Sequence, residues 1–288
     1  MQEISPGILL FQSALYAMQS GLLLPAKRDS TEAQALLVDP GILPSEVEAI
    51  ARALDCAGAR AGHVLLTHSD WDHLSGAFRF EGAGVIASVA YPDEAAVRGE
   101  QIAQEIDRCV VAAGESRSVP FVLPSAASLI GSESEIVGAP YRARAFPAPG
   151  HTADSIALLL AEKGVLFAGD YLSPIEIPYA EFSIGEYRRT LARFRRLLSS
   201  GPVERVVPGH GPAISASEAL GILDADGAYL DRLAEAVRRA VGRGGSRAEA
   251  LRAAGDVEVP RLGSDPEILA GHERNARRAV DEYWPAAR

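Results

Sequence analysis

Two histidines and two aspartates stand within six consecutive residues of this sequence, directly after an apolar run. The run covers residues 64–66, and the polar stretch that follows contains His68, Asp70, Asp72 and His73. A strand that ends in a tight turn can direct such side chains toward one point, whereas a continuous strand sends alternate side chains to opposite faces. Converging imidazole and carboxylate groups are typical ligands of a transition-metal ion. The stretch therefore predicts a metal site, although a polar loop with two incidental histidines has the same composition.

Three further residues of the same chemical types stand beside glycine elsewhere in the chain. They are His151, Asp170 and His210, and each directly follows a glycine. An apolar run ends just before the last two, and a weaker one, residues 141–146, precedes the first. Glycine lets the backbone turn or approach closely at the end of a strand. The chain has only six histidines and four of them belong to these motifs, which favours a metal site over an incidental loop.

The order and spacing of these motifs resemble the metallo-β-lactamase superfamily, whose signature is H-x-H-x-D-H followed by separate His, Asp and His motifs. The resemblance covers residues 38–211. Asp39 matches the first family motif, where the aspartate usually supports the site without binding metal. The resemblance further implies two sets of ligands that share Asp170 as a bridge: His68 and His151 for one ion, and Asp72, His73 and His210 for the other.

Asp70 departs from the family pattern, because most members carry their second histidine at this position. We include Asp70 among seven candidate ligands, beside His68 and His151, and leave open whether it binds an ion or only lies near the site. Together with Asp72, Asp170 and a hydroxide, it raises the count of negative ligands from three to four. Extra negative charge weakens each ion as a Lewis acid and favours a harder or more oxidised metal. We expect two divalent transition-metal ions, with zinc favoured and iron or manganese as alternatives.

The reaction class follows from what two neighbouring metal ions do to water. Each ion lowers the pKa of a shared water, so a metal-bridged hydroxide is available as a nucleophile at neutral pH. Asp170 would hold both ions at a fixed separation and Asp72 would accept the proton of that hydroxide, so these two are the predicted catalytic residues. This chemistry predicts a metal-dependent hydrolase acting on a small ester, lactone, thioester or phosphoester.

Two alternatives to a hydrolase are left open by the residues. The first is a diiron-type oxidoreductase working on O2 or NO with a separate redox partner, since such members of the superfamily also carry a carboxylate at the position of Asp70. They need a flavin domain after the sandwich, which this chain does not show, so the hydrolase is favoured. The second is a metal sensor or a degenerate structural relative. It is disfavoured because all seven positions hold groups able to coordinate a metal.

Hydrophobic patterning predicts strands alternating with helices. Residues 7–38 predict a meander of two or three strands with a polar turn at residues 27–32. Residues 44–54 and 93–113 have helical stripes, and residues 119–138 suggest short strands in a second sheet. The family resemblance implies an αββα sandwich of two mixed β-sheets flanked by helices.

The chain after His210 has a helical pattern. Ser215 is a candidate cap for a helix to about residue 241, and further helices are predicted at residues 246–254 and 266–283. We expect residues 1–214 to form a metallo-β-lactamase-like domain. Residues 215–288 would be a C-terminal helical extension packed on it.

A pocket wall is predicted at residues 171–183, because this stretch is rich in proline and aromatic side chains and too long for a tight connection. Tyr171 and Tyr179 are candidates for contacting substrate or for donating a proton to the leaving group. The two remaining histidines, His63 and His272, are expected to be packed or surface residues rather than ligands. The residues do not specify the substrate.

Composition narrows the range of partners. The 288 residues carry a net charge of −10, which disfavours nucleic acid. No export signal and no apolar run long enough to cross a bilayer are present, so we expect a cytoplasmic protein without a membrane partner. Cys56 and Cys109 are expected to be buried, unpaired thiols, which suits a reducing compartment. We expect a small-molecule substrate, and a homodimer is left open.

Overall fold

The computed structural model describes residues 1–25, 34–117, 119–261 and 265–285. The turn predicted at residues 27–32 lies outside the described residues. The strands are β1 (Gln2–Ser5), β2 (Ile8–Gln12), β3 (Gln19–Leu23), β4 (Gln34–Val38), β5 (Arg60–Leu65), β6 (Gly84–Ser88), β7 (Ser128–Ile130), β8 (Ser134–Glu135), β9 (Ala143–Pro147), β10 (Ile156–Leu160), β11 (Val165–Gly169), β12 (Arg205–Pro208) and β13 (Ile214–Ser215). The helices are α1 (Pro44–Cys56), α2 (Trp71–Leu74), α3 (Tyr91–Ala112), α4 (Ile184–Ser200), α5 (Ala216–Gly242), α6 (Arg247–Gly255) and α7 (Pro266–Tyr283).

Within the described residues, the first sheet contains seven strands in the order β1 to β7. β2 to β4 form the predicted antiparallel meander, β1 adds a further antiparallel strand at its edge, and β4 to β7 pair in parallel. Parallel neighbours need a crossover connection, and α1 provides it between β4 and β5. The carboxyl ends of β4 and β5 therefore meet at one edge of the sheet, where Asp39 and the stretch from His68 to His73 follow them.

The second sheet contains six strands in the order β13, β12, β11, β10, β9, β8. Its only parallel pair among the described strands is β11 with β12. These two strands end at Gly169 and Pro208, so Asp170 and His210 leave the sheet side by side. The parallel pair β11 and β12 thus places polar residues at one edge of the second sheet, as β4 and β5 do at the edge of the first.

Alternating side chains explain why the two sheets stack with helices outside. On β4, Leu36 and Val38 join the core between the sheets, while Leu37 joins the core under α1 and α3. Leu158 and Phe167 of the second sheet meet Leu36 and Val38 in the inter-sheet core. Successive strand residues point to opposite faces, so an uninterrupted apolar strand must be covered on both sides. The predicted αββα sandwich of two mixed sheets is confirmed.

Helices α5 to α7 share one core with the outer face of the second sheet and α4. Tyr229 and Leu233 of α5 belong to the same buried cluster as Tyr187 and Phe194 of α4. The helix α5 begins where predicted, because the Ser215 hydroxyl accepts from the Glu218 N–H and the Glu218 side chain accepts from the Ser215 N–H. The division of the chain at residue 214 into two domains stays a prediction.

Two expectations from the sequence are corrected. Within residues 119–138, β7 pairs with β6 of the first sheet, and only β8 belongs to the second. Cys56 is exposed and Cys109 is partly exposed, so the expectation of two buried thiols was wrong. Cys56 ends α1 two positions after the buried Leu54, which rotates it about 200° away from the buried face. None of the described helices is long and apolar enough to cross a membrane.

One glycine allows the stretch that holds His68 to His73 to pack against the turn after β4. A Cβ added to Gly76 would lie 1.8 Å from the Pro40 carbonyl oxygen and 2.8 Å from the Val47 Cγ2. We expect Gly76→Ala to lower the free energy of unfolding by about 1–3 kcal/mol, because the backbone of the turn must shift. Gly221→Ala is the control: no neighbour lies within 4 Å of its added Cβ, and helix propensity should raise stability by about 0.5–1 kcal/mol. Urea unfolding of both metal-free variants measures the difference, and equal midpoints would contradict the prediction.

Candidate metal centre

Loops at one edge of the sandwich bring all seven candidate ligands together. The loop after β5 supplies His68 and Asp70, and its short helix α2 supplies Asp72 and His73. The remaining three come from the loops after β9, β11 and β12: His151, Asp170 and His210. Strand ends are held rigidly by their sheets, so the side chains that leave them are well fixed.

The first group consists of His68, Asp70 and His151, which the structure places around one point. The Asp70 Oδ2 lies 3.2 Å from the His151 Nε2 and 3.6 Å from the His68 Nε2. Asp70 therefore stands where the resemblance would have a histidine, with one carboxylate oxygen directed at both imidazoles.

The second group consists of Asp72, His73 and His210. The Asp72 Oδ2 lies 3.3 Å from the His210 Nε2 and 3.7 Å from the His73 Nε2. The two Nε2 atoms of His73 and His210 lie 3.3 Å apart. All three residues are buried.

Asp170 lies between the two groups and contacts both. Its Oδ2 is 3.4 Å from the His151 Nε2 on one side and 3.4 Å from the His210 Nε2 on the other. Its Oδ1 is 3.2 Å from the His73 Nε2. Gly209 leaves room for the Asp170 carboxylate, because a Cβ at this position would lie 2.0 Å from the Asp170 Oδ1.

Each of the four histidines is held by its Nδ1 atom. The His151 Nδ1 lies 2.7 Å from the Tyr179 carbonyl oxygen, and the His210 Nδ1 lies 3.0 Å from the Tyr16 carbonyl oxygen. A carbonyl only accepts, so each of these Nδ1 atoms donates a proton. The Nε2 of the neutral ring is then a free lone pair directed into the site.

Asp39 and Thr67 hold the Nδ1 atoms of the other two histidines, His73 and His68. The Asp39 carboxylate accepts from the His73 Nδ1 at 2.8 Å, from the Thr67 N–H at 2.8 Å and from the Thr67 hydroxyl at 2.6 Å. Because the hydroxyl proton goes to Asp39, the Thr67 oxygen accepts from the His68 Nδ1 at 3.0 Å. Asp39 thus supports the site from behind, as the resemblance implied.

The separations between ligand atoms fit bound metal ions. Two ligands of a tetrahedral ion, bonded at about 2.0–2.1 Å, lie about 3.3 Å apart. The distances given above for the two groups lie between 3.2 and 3.7 Å. The His68 Nε2 and the Asp170 Oδ1 are buried without a hydrogen-bond partner, which a metal ion would satisfy. The residues present therefore fit two metal ions, and the assignment of all seven as ligands stays a prediction.

The carboxylates and the histidines of the site shift one another's pKa. Burial lowers the pKa of His151, but the carboxylates of Asp70 and Asp170 outweigh burial and raise it to about 10. Burial also lowers the pKa of His210, and Asp170 again outweighs it and raises the value to about 10. Burial raises the pKa of Asp70, yet hydrogen bonds with His151 and His68 hold it well below its usual range. Protons and metal ions therefore compete for the same nitrogen atoms.

Arg98 is a site residue that the sequence did not reveal. Its Nη2 lies 3.0 Å from the Asp70 Oδ1, so Asp70 directs one oxygen to the imidazoles and the other to a guanidinium. The extra carboxylate that distinguishes this chain from the family pattern therefore has a cation beside it. Arg98 lies on α3, and only the packing of α3 beside α2 brings it to Asp70.

Backbone strain is concentrated around the centre. Among the described residues, the non-glycine residues with positive φ are Tyr16, Ala17, Asp39 and Leu172. Tyr16 provides the carbonyl for His210, Asp39 binds His73, and Leu172 lies two residues after Asp170. Such conformations cost about 1–3 kcal/mol each and persist where surrounding contacts enforce them. Two of the strained residues, Tyr16 and Asp39, thus provide the oxygen atoms that accept from the Nδ1 atoms of His210 and His73.

A cleft of about 470 Å³ opens onto the centre. Tyr16 and Trp71 form one wall, with their rings in edge contact at 5.8 Å. Tyr179 and Glu176 of the predicted pocket loop also line the cleft. Burial raises the pKa of Glu176 to about 7, and Asp170 acts in the same direction against His210. The expectation that residues 171–183 provide a pocket wall agrees with this lining.

The remaining predicted residues lie elsewhere. Tyr171 is a correction: its hydroxyl accepts from the His151 N–H and donates to the Ala148 carbonyl, so it braces the loop behind His151 and does not line the cleft. His272 is buried against Tyr229 and does not line the cleft. His63 packs near Gly84 and does not line the cleft either.

The family profile of the metallo-beta-lactamase superfamily matches residues 29–210. This range holds the whole candidate centre and more than half of the chain, so the protein belongs to the metallo-β-lactamase superfamily. Members bind divalent metal ions, and the described groups of histidines and aspartates provide candidate sites for them.

Relatives by sequence and by structure agree with this family. The chain is 29% identical over 172 residues to an acyl-coenzyme A thioesterase, MBLAC2, of Bos taurus, covering 55% of this chain and 59% of that protein. It is 28% identical over 231 residues to a hydroxyacylglutathione hydrolase of Methylococcus capsulatus, covering 79% of this chain and 73% of that protein. A beta-lactamase domain protein of Burkholderia ambifaria has the same fold, with a TM-score of 0.68 at 17% identity over 98% of this chain and 87% of that one. The match spans less than two thirds of the bovine thioesterase.

The ion pair of Asp70 with Arg98 predicts a coupled effect of two substitutions. Asp70→His replaces the carboxylate by an imidazole, which leaves the guanidinium facing a neutral ligand and a bound cation. We expect Arg98→Met to strengthen zinc binding about tenfold more in the Asp70→His background than in the wild type, because only there does it remove an unbalanced positive charge. Competition with a chelator measures zinc affinity in the four proteins. An equal effect of Arg98→Met in both backgrounds would show that Arg98 does not balance Asp70.

Proposed function

We propose that this protein is a hydrolase of small acyl thioesters that works with two divalent metal ions. The observation that carries the proposal is the convergence of four histidine Nε2 atoms and three carboxylates into two groups that share Asp170. Such a shared pair of sites is the arrangement that activates water for hydrolysis. Esters, lactones and phosphoesters are chemically close substrates for the same centre.

The proposed ligands are His68, Asp70 and His151 for one ion, Asp72, His73 and His210 for the other, and Asp170 for both. When bound, the two ions would lower the pKa of a water molecule between them and polarise the carbonyl oxygen of the substrate.

The protein's own side chains would position the metal ions and the substrate and accept the proton of the attacking water. Asp170 contacts both groups and fixes their separation, and the Nδ1 hydrogen bonds of the four histidines keep every Nε2 directed inward. Asp72 lines the cleft and is proposed to accept the proton of the attacking water at its carboxylate. Tyr16 and Trp71 offer an aromatic wall against which an acyl chain can pack.

The choice of thioesters rests on the relatives. One is named for acyl-coenzyme A and the other for hydroxyacylglutathione, and both names describe an acyl group carried on a thiol. The charge balance at Asp70 supports zinc, because the argument for a harder metal depended on an uncompensated carboxylate and Arg98 lies beside it. The oxidoreductase alternative depended on that same carboxylate and stays a prediction.

The proposal predicts two metal ions per chain and metal-dependent hydrolysis. We expect elemental analysis of protein expressed with added zinc to give close to two ions per chain. A panel of an acyl thioester, an ester, a lactone and a phosphodiester should show the highest kcat/KM for the thioester. Asp72→Asn should lower that kcat/KM by about 10²–10⁴-fold, because the amide cannot accept the proton.

Asp93→Asn is the matched control, since it makes the same chemical change at an exposed carboxylate of α3. It should leave both metal content and turnover unchanged. The proposal fails if the protein with two ions bound hydrolyses none of the four substrates. It also fails if Asp72→Asn is as active as Asp93→Asn.

A further inference from the structure

One candidate ligand, His151, depends on a carbonyl that a distant helix holds in place. The carbonyl belongs to Tyr179, which accepts from the His151 Nδ1 at 2.7 Å. Tyr179 lies in the pocket loop between β11 and α4, outside any strand or helix. The hydrogen bonds inside a sheet therefore do not fix this carbonyl, and something else must.

Asn275 of α7 supplies the missing support. Its Nδ2 donates to the Pro178 carbonyl at 2.6 Å, and its Oδ1 accepts from the Ala180 N–H at 2.8 Å. These two bonds lie on either side of Tyr179, so a single amide pairs with the loop as a neighbouring strand would. The roles of the two amide atoms are unambiguous, because a carbonyl can only accept and an N–H can only donate.

A chain of hydrogen bonds behind Asn275 pairs the remaining polar atoms of this buried region. The Asn275 Nδ2 also donates to the Tyr229 hydroxyl oxygen at 3.2 Å, and that hydroxyl lies 2.8 Å from the His272 Nδ1. The His272 Nε2 lies 3.0 Å from the Gly255 carbonyl, to which it must donate. The Tyr229 hydroxyl therefore donates to His272, and every polar atom along the path has a partner. Asn275 and His272 are both buried, where unmatched polar groups are costly.

Other contacts press α7 against the same loop. A Cβ on Gly271 would lie 1.9 Å from the Tyr179 Cε1, so the helix backbone packs directly on the tyrosine ring. Glu282 accepts from the Ile184 N–H at 2.8 Å and the Gly185 N–H at 2.9 Å, which anchors the far end of the loop. The loop is thus held where it carries Tyr179 and again where α4 begins.

We propose that Asn275 is a positioning residue for the metal centre, acting through the Tyr179 carbonyl on the ring of His151. With the carbonyl in place, the Nδ1 of His151 keeps its proton, so Nε2 is the atom that faces Asp70 and Asp170 and can bind a metal ion. Without it, the ring is free to rotate or to carry its proton on Nε2 instead of Nδ1. Partners of this kind typically change metal affinity by about 10–100-fold. The inference rests on the proposed metal centre and assigns to α7 a part in completing it.

The test compares two variants that damage the same buried network at different points. Asn275→Leu removes both bonds to the pocket loop. Tyr229→Phe removes only the hydroxyl behind Asn275 and leaves its bonds to Pro178 and Ala180 intact. Zinc affinity of the whole protein, measured by competition with a chelator, should fall about 10–100-fold for one of the two ions in Asn275→Leu. It should fall less than about threefold in Tyr229→Phe, even if both variants lose similar stability.

A second measurement does not depend on metal. In nitrogen-15 spectra of the metal-free protein, the His151 Nδ1–H should exchange slowly with water, with its signal assigned by its loss in His151→Gln. It should exchange rapidly in Asn275→Leu and remain protected in Tyr229→Phe. Asn275→Asp, which keeps the acceptor for Ala180 but loses the donor to Pro178, serves if the leucine variant does not fold, and should show the same direction of change.

The outcomes separate the proposed function from the positioning role of Asn275. If the wild type binds no zinc, the proposed function fails, and the exchange of the His151 Nδ1–H still decides the role of Asn275. If Asn275→Leu keeps wild-type zinc affinity and a protected Nδ1–H, Asn275 does not position His151. The inference is also overturned if Tyr229→Phe weakens zinc binding as much as Asn275→Leu, because Asn275 would then contribute only to general stability.

Discussion

A buried imidazole can offer one nitrogen to the centre only if its other nitrogen is held elsewhere, and the structure meets this condition four times. Tyr16 and Tyr179 provide carbonyls, Thr67 a hydroxyl and Asp39 a carboxylate, and each accepts from a histidine Nδ1. Four different segments of the chain must therefore be correctly placed before the four Nε2 atoms converge. The sandwich achieves this because parallel pairs in both sheets end at the same edge.

The cost of this convergence appears in the backbone around it. Asp39 and Tyr16 have positive φ although neither is glycine, and each holds one of the histidines. Elsewhere the chain uses glycine where side chains would collide, as at Gly209 against Asp170. The well-packed cores on both faces of the sheets supply the stability that offsets such strain. A centre of this kind is thus a property of the whole sandwich rather than of one motif.

Charge explains how this chain accommodates an aspartate at the position where the signature H-x-H-x-D-H has its second histidine. Asp70 adds a negative charge beside Asp72 and Asp170, and the guanidinium of Arg98 lies 3.0 Å from it. The two residues depend on each other, because either alone would leave a partly buried charge without a partner. Helix α3 is therefore part of the centre, although it contributes no candidate ligand.

The sequence predicted the residues that share a short motif or follow a patterned strand. The seven candidate ligands and the helices α1, α5 and α7 follow from local spacing and periodicity, and the sandwich was implied by the family resemblance. Arg98 and Asn275 could not be predicted, because their roles depend on how distant helices pack and no local pattern marks them. Cys56 shows the same limit in reverse: its residue type favours burial, but its place past the buried stripe of α1 exposes it. Tyr171 was placed in the cleft by its neighbourhood in sequence, whereas its hydroxyl turns back to the His151 N–H.

The proposed function depends on two metal ions that share Asp170 and on Asp70 as a ligand of one of them. Anomalous diffraction at the zinc absorption edge, from crystals of the zinc-loaded protein, tests this most directly. We expect two peaks per chain, each at about 2.0–2.2 Å from its ligand atoms. One peak should lie among His68, Asp70 and His151, and the other among Asp72, His73 and His210. A single peak, or two peaks with both Asp70 oxygens beyond bonding distance, would contradict it.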